Sequence, residues 1–392
     1  MNQLPPLLTR NYLLAFVGNF LLFFSFYLLL PLLPIYLLDV YSADKTQVGV
    51  VLSIYTLSAL CVRPFAGFLV DYFQRKPLLL LTYILFVGSF VGYLVAGTLL
   101  MFAVIRAIHG VSFGLVTTSQ STVVIDVIHP DRRNEGIGYY GISTNISMAI
   151  SPMLSMFLFE KYDSYDLVFM VAIAIGLVGL LVVSMLHLKP REQVVHTPIS
   201  LDRFVVKGGF GYMFSLILMS FGYGSVMSYV AVYAIQEIGL TSGTGFYFLG
   251  GAIGLILSRF ASSRAMRDGR LTYLITVGAI VAFAGISVLT FFKNMPCFYL
   301  SSVLFGFGYG FIGPPMQAIF VGMVPHNRRG TANSTYFTSF DLGLGMGVLV
   351  GGKITSISNY TMTYVVSILL LLIGIAFFRL VIRSARKKSE QV

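Results

Sequence analysis

The chain has 392 residues, of which 57% are hydrophobic and only 10% are charged. Soluble domains carry about 25% charged residues, so the composition excludes a protein whose whole surface faces water. The net charge of +11 is also found in nucleic-acid-binding proteins, but the placement of the basic residues along this chain indicates a membrane protein.

Charged residues divide the sequence into apolar stretches of membrane length, for which about 20 residues are needed. The first stretch is too long for the core of a secretory signal peptide, so we expect it to remain as a span. The charge spacing predicts twelve spans, at residues 11–38, 46–72, 77–97, 99–128, 135–159, 165–187, 209–236, 243–266, 271–292, 295–324, 331–352 and 361–383.

Lysine and arginine residues are distributed unevenly between the two predicted sides of the membrane. Nineteen lie on the side of the termini and four on the other, while Arg63, Arg106 and Arg259 lie within spans. The positive-inside rule therefore predicts that both termini are cytoplasmic, in a multi-pass protein of the cell inner membrane. The basic excess would contact anionic lipid headgroups of the bilayer, so we expect no nucleic-acid partner.

The second half of the sequence repeats the first at a shift of 196 residues. The matched positions are Arg63 and Arg259, Gly110 and Gly306, Gly114 and Gly310, Arg132-Arg133 and Arg328-Arg329, Tyr27 and Tyr223, and Tyr140 and Tyr336. This predicts an all-α membrane protein with two pseudo-symmetric six-helix bundles, at residues 1–187 and 209–392, joined by a cytoplasmic linker at 188–208. Parallel repeats of this kind are a transporter architecture with the substrate site near the midplane.

The loop after the second span carries a recognisable motif. It reads Gly67-Phe-Leu-Val-Asp71-Tyr-Phe-Gln-Arg75-Lys76. This resembles the G-x-L-x-D-x-x-x-R-K loop of the major facilitator superfamily, and the resemblance covers essentially the whole chain. The resemblance implies a twelve-helix carrier that works by alternating access.

The resemblance also implies a cytoplasmic gate. Gly67, Asp71 and Arg75, with Asp126 at the inner end of the fourth span, would hold the two halves together in the outward-facing state. A carboxylate is stabilised at the positive N-terminus of a helix, and the eleventh span begins nearby, after Gly330. The alternative is that the motif is only a topology signal with a surface ion pair.

In the fourth span, Arg106-Ala-Ile-His109-Gly110 is similar to the R-x-x-x-G motif of the same family. An arginine at membrane depth is expected to be functional, so Arg106 and His109 are candidates for proton coupling. The alternatives are a structural arginine that binds helix carbonyls and a histidine that is satisfied in the protein interior.

The fifth span departs from the antiporter signature G-x8-G-x3-G-P-x2-G-G of drug-exporting family members. Gly138 and Pro152 are kept, while three glycines are replaced by serine, including the one at Ser151. Small side chains still allow close helix packing. The segments Arg63–Gly67 and Phe340–Gly343 also look like the drug:proton antiporter branch, and the glycines of the eleventh span predict a close-packing face.

Asp341 is the acid predicted in the middle of a span. A charged Asp there costs roughly 2.5–3.5 kcal/mol on insertion scales. Burial favours the protonated form of a carboxyl group, so Asp341 could take up a proton on one side and release it on the other, with Arg106 as counter-charge. Its repeat-equivalent is Asn145, which places the proton site in one half only. The alternative is an Asp that only fixes packing, through Thr338 or Tyr336.

The family fold lines its central cavity with the first, fourth, seventh and tenth spans. The residues expected there are Asn19, Phe23, Tyr27, Phe113, Gln120, Tyr223, Tyr229, Tyr309 and Gln317. Rings with scattered hydroxyl and amide groups, and almost no fixed charge, favour an amphipathic organic substrate.

The sequence thus predicts a secondary active transporter, namely a proton-coupled exporter of small amphipathic compounds or metabolites that acts as a monomer. The alternative is a proton-coupled uptake permease for a sugar or an organic acid. Cys61 and Cys297 form no metal-type spacing, and the chain lacks hydrolase and zinc-protease motifs. No enzymatic activity, cofactor or metal site is therefore expected.

Overall fold

The computed structural model describes residues 5–43, 45–188, 204–240 and 243–389. Every regular element in these residues is helical. The α-helices are α1 (Arg10–Leu29), α2 (Leu32–Tyr41), α3 (Lys45–Tyr72), α4 (Arg75–Val95), α5 (Leu99–Val127), α6 (Arg133–Tyr162), α7 (Tyr165–Ser184), α8 (Phe210–Tyr233), α9 (Phe246–Arg267), α10 (Leu271–Phe291), α11 (Met295–Gly322), α12 (Arg329–Ile357) and α13 (Tyr360–Ser389). Short 3-10 turns at Pro130–Arg132 and His326–Arg328 precede α6 and α12, and a π-helical turn at Ala234–Ile238 follows α8.

Twelve helical stretches in the described residues are long and apolar enough to cross a membrane. The predicted all-α fold with twelve spans is therefore confirmed. Side-chain caps fix the starts of several helices. Thr98 and Asn294, for example, accept hydrogen bonds from the backbone amides of Met101 and Cys297 in the first turns of α5 and α11, where amide groups have no partner inside the helix.

The first predicted span, at residues 11–38, is wrong in one respect. The structure divides it into α1 and α2, with a break at Leu30 and Pro31. A proline has no backbone N–H to donate, and its ring clashes with the carbonyl group four residues earlier, so it interrupts a helix. The second piece, α2, ends where Ser42 adopts a left-handed conformation, with a φ of 50°.

The chain forms two compact units. Unit 1 comprises Met1–Phe204 and Val324–Ser334, and unit 2 comprises Val205–Met323 and Thr335–Val392. The start of α12 is thus grouped with unit 1, although it belongs to the second half of the sequence. The predicted boundaries of the linker at 188–208 stay a prediction, because residues 189–203 lie outside the described residues.

The internal repeat is present in the helix contacts of both units. In unit 1, α5 packs against α3 and α4, and α7 packs against α1 and α4. In unit 2, α11 packs against α9 and α10, and α13 packs against α8 and α10. The same order of pairs in both units confirms the repeat predicted from the sequence.

The matched arginines make the same backbone contact in both units. Arg63 Nη1 donates to the carbonyl oxygen of Gly114 at 3.4 Å, and Arg259 Nη1 donates to that of Gly310 at 2.8 Å. The two arginines are related by the 196-residue shift, and so are the two glycines. The buried guanidinium groups therefore satisfy part of their hydrogen-bonding capacity on helix carbonyls, as a buried charge requires.

The matched glycines allow close helix crossings. A Cβ atom added at Gly110 would lie 2.2 Å from the carbonyl oxygen of Tyr55, and one at Gly306 would lie 1.9 Å from that of Gly251. Tyr55 and Gly251 are themselves related by the repeat shift. Small residues at such crossings let helix backbones approach within a membrane.

We predict that Gly306→Ala separates α11 from α9 and destabilises the protein. The added methyl group meets backbone atoms that cannot move independently, and overpacking of this kind costs about 1–3 kcal/mol. The expected result is a lower melting temperature of the detergent-solubilised carrier, measured by intrinsic tyrosine fluorescence.

Gly88→Ala is the matched control, because a Cβ atom at Gly88 in α4 would meet no atom within 4 Å. Alanine favours the helix over glycine, so this variant should melt at or slightly above the wild-type temperature. Equal melting temperatures for the two variants would contradict the close crossing at Gly306.

Candidate functional site

Asp71, near the end of α3, binds the N-terminus of α12. Its Oδ1 accepts a hydrogen bond from the backbone N–H of Gly330 at 2.8 Å. Its Oδ2 accepts hydrogen bonds from the backbone N–H of Thr331 at 2.7 Å and from the Thr331 hydroxyl at 2.8 Å. Amide groups in the first turn have no partner inside the helix, and the helix dipole favours a negative charge there. A carboxylate from α3 thus caps a helix that starts far away in the sequence.

Asp126, near the end of α5, is shared by two arginines. Its Oδ2 lies 3.0 Å from Arg75 Nε, and its Oδ1 lies 2.6 Å from Arg329 Nη1. Arg75 Nη1 also lies 3.2 Å from Asp71 Oδ1, which joins the four residues into one network. Both guanidinium groups are 7% exposed, so loss of the Asp126 carboxylate would remove the ion pair of Arg329 and leave Arg75 with Asp71 alone, which is costly for buried charges. We call Asp71, Arg75, Asp126 and Arg329 the Asp71 cluster.

Two glycines allow the backbones of α3 and α12 to touch. A Cβ atom at Gly67 would lie 2.5 Å from Ser334 Cβ and 2.8 Å from the Gly330 carbonyl oxygen. A Cβ atom at Gly330 would lie 2.6 Å from the Gly67 carbonyl oxygen. Next to this crossing, the Ser334 hydroxyl donates to the carbonyl oxygen of Arg63. Because Gly67 and Gly330 carry no side chain, the two backbones approach closely enough for Asp71 to reach the N-terminus of α12.

The structure thus brings together the four residues that the sequence indicated for a gate, which are Gly67, Asp71, Arg75 and Asp126. It adds Arg329 and Thr331, to which the sequence analysis gave no role. The only sequence signal for them is that Arg328-Arg329 matches Arg132-Arg133 in the repeat and that Thr331 begins the predicted eleventh span.

Arg106 and His109 are buried in unit 1 among aromatic rings. The Tyr93 hydroxyl lies 2.7 Å from His109 Nδ1 and accepts a hydrogen bond from Arg106 Nη1 at 3.3 Å. The guanidinium carbon of Arg106 lies 4.4 Å from the centroid of the Tyr55 ring. Tyr93 thereby links the two candidates for proton coupling. This contact could not be predicted from the sequence, because a tyrosine in an apolar span has many possible roles.

This buried network has free hydrogen-bonding capacity. Arg106 Nε and His109 Nε2 have no hydrogen-bond partner among the described residues. The side chains of Arg106 and His109 are 4% and 1% exposed. Within the described part of the chain, Arg106 has no carboxylate within ion-pairing distance, so its charge is stabilised by Tyr93 and by the face of Tyr55.

Asp341 is half-buried in α12 and belongs to unit 2, whereas Arg106 belongs to unit 1. Its repeat-equivalent Asn145 is buried in α6. The predicted pairing of Asp341 with Arg106 therefore stays a prediction.

Two of the three amides expected in the cavity, Asn19 and Gln120, hold helices of unit 1 together. Asn19 in α1 donates to the Ser143 hydroxyl of α6 at 2.7 Å and accepts from the Tyr140 hydroxyl at 2.8 Å. Gln120 in α5 donates to the carbonyl oxygen of Ala15 at 3.2 Å. Both are almost completely buried, so their contacts are those of packing residues.

The aromatic candidates of unit 1 form a half-buried cluster. The ring of Phe23 stacks on Tyr27 with centroids 5.9 Å apart and meets Phe113 edge-on at 5.7 Å. All three rings are partly exposed. This cluster therefore offers ring surface to a ligand, while Asn19 and Gln120 do not.

Unit 2 holds a second cluster around Tyr223, the repeat-equivalent of Tyr27. The half-buried ring of Tyr223 lies 5.1 Å from Tyr309 and 5.6 Å from Phe340, centroid to centroid. Tyr309 is buried and donates to the Met219 carbonyl oxygen at 2.8 Å, which fixes its ring. Gln317 is likewise buried, at 9% exposure.

The serines of the fifth span, in α6, replace glycine contacts with hydrogen bonds. The Ser147 hydroxyl donates to the Phe20 carbonyl oxygen of α1 at 2.8 Å, and Ser151 donates to Ser147 at 2.7 Å. Pro152 lies inside the same helix. A Cβ atom at Gly138 would meet nothing within 4 Å in the described residues, so this glycine is not at a close crossing.

The equivalent positions of α12 keep their glycines. Gly343 and Gly347 match Ser147 and Ser151 at the repeat shift. Cβ atoms there would lie 2.3 Å from the Ile217 carbonyl oxygen and 2.1 Å from that of Phe221, both in α8. The close-packing face predicted for the eleventh span is confirmed at these positions.

Comparison with known proteins identifies full-length relatives. The family model described as the Major Facilitator Superfamily matches residues 15–347 and 269–392. Multidrug resistance protein 1 of Bacillus subtilis is 25% identical over 371 residues, covering 91% of this chain and 92% of that protein. The quinolone resistance protein NorA of Staphylococcus aureus is 21% identical, covering 88% and 90%. Among solved structures, the human organic anion transporter MFSD10 (TETRAN) is similar with a TM-score of 0.78 at 17% identity, covering 95% of this chain and 100% of that chain.

We predict that Asp71→Asn releases the segment Val324–Ser334 from α3. Asparagine keeps one acceptor oxygen but loses the second acceptor and the negative charge, and a hydrogen bond to a charged group is worth about 1.5–3 kcal/mol. The reporter is Ser121→Cys on α5, a buried position whose hydroxyl contacts Asn333, in a background without Cys61 and Cys297. Labelling by a membrane-impermeant maleimide should speed up by about tenfold or more.

Asp131→Asn is the matched control, since its carboxylate is 63% exposed in the turn before α6. It should leave the labelling rate unchanged. An Asp71→Asn variant that labels at the wild-type rate would show that the cap at α12 does not hold this segment in place.

Proposed function

Because the chain belongs to the major facilitator superfamily, we propose that it is a proton-coupled exporter of small amphipathic compounds or metabolites that works by alternating access. The observation that carries the export direction is the likeness, over 92% and 90% of their lengths, to two proteins named for drug resistance. The family and the fold point to a transporter rather than an enzyme.

The substrate class is supported by the two aromatic clusters. Phe23, Tyr27 and Phe113 in unit 1 and Tyr223 in unit 2 present partly exposed ring faces. Ring faces bind apolar and cationic groups, and the tyrosine hydroxyls orient a polar end. We therefore propose these rings, rather than the buried amides Asn19 and Gln120, as the main substrate contacts.

Proton coupling is proposed for Asp341, Arg106 and His109. Arg106 carries a buried charge without a carboxylate partner in the described part of the chain, which is costly at membrane depth unless the charge has a role. His109 and Arg106 share the Tyr93 hydroxyl, so a change in the protonation of His109 alters the hydrogen bonds of Arg106. Asp341 supplies the exchangeable carboxyl group in the other repeat.

The Asp71 cluster is proposed as the cytoplasmic gate. Its contacts join α3 and α5 to the first residues of α12, and they are all polar or ionic. Such contacts can be replaced by water when the gate opens, whereas apolar packing cannot. A carrier that works by alternating access must close and reopen its cytoplasmic side in every cycle, so the contacts of its gate have to be reversible.

We also propose a location, an oligomeric state and binding partners for the carrier. The basic excess predicted on the side of the termini supports an inner-membrane location with both termini in the cytoplasm. We propose that the carrier acts as a monomer on a small-molecule substrate and protons, without a nucleic-acid partner or a cofactor.

We predict that expression of the carrier in a drug-hypersensitive bacterial host lowers the steady-state accumulation of lipophilic dyes and quinolones several-fold. An uncoupler that collapses the proton gradient should restore accumulation to the level of cells with empty vector. Accumulation is measured by dye fluorescence in washed cells. Higher accumulation of a sugar or organic acid upon expression, with no effect on any dye, would favour the uptake alternative.

We predict that Asp341→Asn uncouples transport from protons. In liposomes the variant should lose accumulation driven by a pH gradient by more than about tenfold, because asparagine cannot exchange a proton. Substrate counterflow, which needs no net proton movement, should continue.

Asp268→Asn, an exposed acid in the turn between α9 and α10, is the matched control and should keep both activities. If Asp341→Asn retains full accumulation under a pH gradient, the proton is carried elsewhere.

A further inference from the structure

A cavity of about 480 Å³ lies in unit 2, at the end where α8 finishes and α13 begins. Cavities of this size hold small organic ligands. Its wall contains hydroxyl, amide and carboxylate groups together with two tyrosine rings; the residues that matter most are Tyr229, Gln236, Glu237, Ser358, Asn359 and Tyr360. None of these has a part in the transport chemistry proposed above, although the sequence predicted Tyr229 to line the central cavity of the carrier.

The backbone is unusual at this cavity. After α8 the chain makes a π-helical turn at Ala234–Ile238, which Gly239 ends in a left-handed conformation with a φ of 79°. Such turns are rare and recur at functional sites, because the extra residue changes the direction of the side chains. Here the turn brings Gln236 and Glu237 to the cavity wall.

The carboxylate of Glu237 is held in place by hydrogen bonds, and the ammonium group of Lys293 is its counter-ion. Its Oε2 accepts hydrogen bonds from the Lys293 ammonium at 2.6 Å and from the Thr361 hydroxyl at 2.9 Å. The carboxylate is 17% exposed, whereas Lys293, in the loop between α10 and α11, is 45% exposed. A flexible, solvated ammonium therefore occupies a place that the ammonium group of a ligand can take.

The helix ends around the cavity also favour a cation. The π-helical turn and α12 both finish here, and neither has a basic residue in its last turn. The C-terminus of a helix carries partial negative charge. Amide groups at the start of α13 have partners of their own, because Asn359 Oδ1 accepts from the Met362 amide at 2.8 Å and Glu237 accepts from the Tyr360 backbone.

Polar groups remain available for the rest of a ligand. The side chains of Gln236 and Ser358 are exposed, and neither makes a hydrogen bond within the described residues. The rings of Tyr229 and Tyr360 lie 6.3 Å apart, centroid to centroid, and supply apolar wall. An amide and a hydroxyl next to a carboxylate and two rings can hold a hydroxyl group, an ammonium group and the carbon chain between them.

We infer that this cavity binds a small organic cation that carries a primary ammonium group and a hydroxyl group. The ammonium replaces Lys293 at Glu237, the hydroxyl binds Gln236 and Ser358, and the carbon chain lies against Tyr360. This site goes beyond the proposed function, because binding here requires neither transport nor a proton gradient.

The test is equilibrium binding of 5-aminopentan-1-ol to the purified full-length carrier in nanodiscs, followed by calorimetry. Pentane-1,5-diol, in which a hydroxyl replaces the ammonium, should bind at least about tenfold more weakly. Glu237→Gln should weaken binding of the amino alcohol by a similar factor. Lys293→Gln should strengthen it several-fold, because it removes the competing ammonium.

Asp268→Asn controls for the loss of one acid in the same unit and should bind as the wild type does. No detectable binding of the amino alcohol at millimolar concentration would overturn the proposal, and so would equal binding of the diol. Should Glu237→Gln fail to give folded protein, Lys293→Gln decides: tighter binding supports the site, and unchanged binding overturns it. These outcomes are independent of the accumulation and counterflow assays that test transport.

Discussion

The contact between the Asp71 carboxylate and the first turn of α12 is the interaction on which the candidate gate depends. It satisfies two backbone amides that have no partner inside the helix, and it places a negative charge at the positive end of the helix dipole. Gly67 and Gly330 let the two backbones approach at this register, where added Cβ atoms would collide with the neighbouring helix. Arg75 then links this cap to Asp126, and Asp126 in turn holds Arg329. These three ion pairs thus extend the contact that forms where the two glycines let the backbones approach.

Arg63, Arg106 and Arg259 lie in the interior of spans, and their contacts distinguish a structural arginine from a candidate functional one. Arg63 and Arg259 occupy equivalent positions and donate to the carbonyl groups of equivalent glycines, so both repeats use them in the same way. Arg106 has no such counterpart, since the matching residue is Ser302. Its charge rests on the Tyr93 hydroxyl and the Tyr55 ring. An arginine that makes the same contact in both repeats serves the fold. An arginine that is present in one repeat, and whose charge no carboxylate in the described residues balances, is the better candidate for a role in proton coupling.

The sequence predicted the features that depend on composition and on local pattern. Twelve spans follow from the spacing of charges, and the repeat follows from matched arginines and glycines. The proximity of Asp71, Arg75 and Asp126 was predicted because the loop motif lies beside the charge that it contacts. Their role as a gate stays a prediction. The break at Pro31 was missed because an uncharged stretch of sufficient length looks like one span. The role of Tyr93 and the burial of Asn19 were missed because a helical sequence does not reveal which face meets which neighbour. Those contacts depend on tertiary packing alone.

The two repeats differ at the position proposed for proton coupling and at the packing residues of the same helix. On the helix that follows each 3-10 turn, α6 carries Asn145 and hydrogen-bonding serines, whereas α12 carries Asp341 and packing glycines. A serine bonded to the carbonyl of a neighbouring helix adds a hydrogen bond to the contact, while a glycine lets the two backbones approach closely. The glycine face of α12 is also joined to α8 by a hydrogen bond, from the Tyr229 hydroxyl to the Val348 carbonyl oxygen. If protonation of Asp341 drives the cycle as proposed, its effect on α12 has to reach the first turn of that helix, which Asp71 binds through the backbone amides of Gly330 and Thr331.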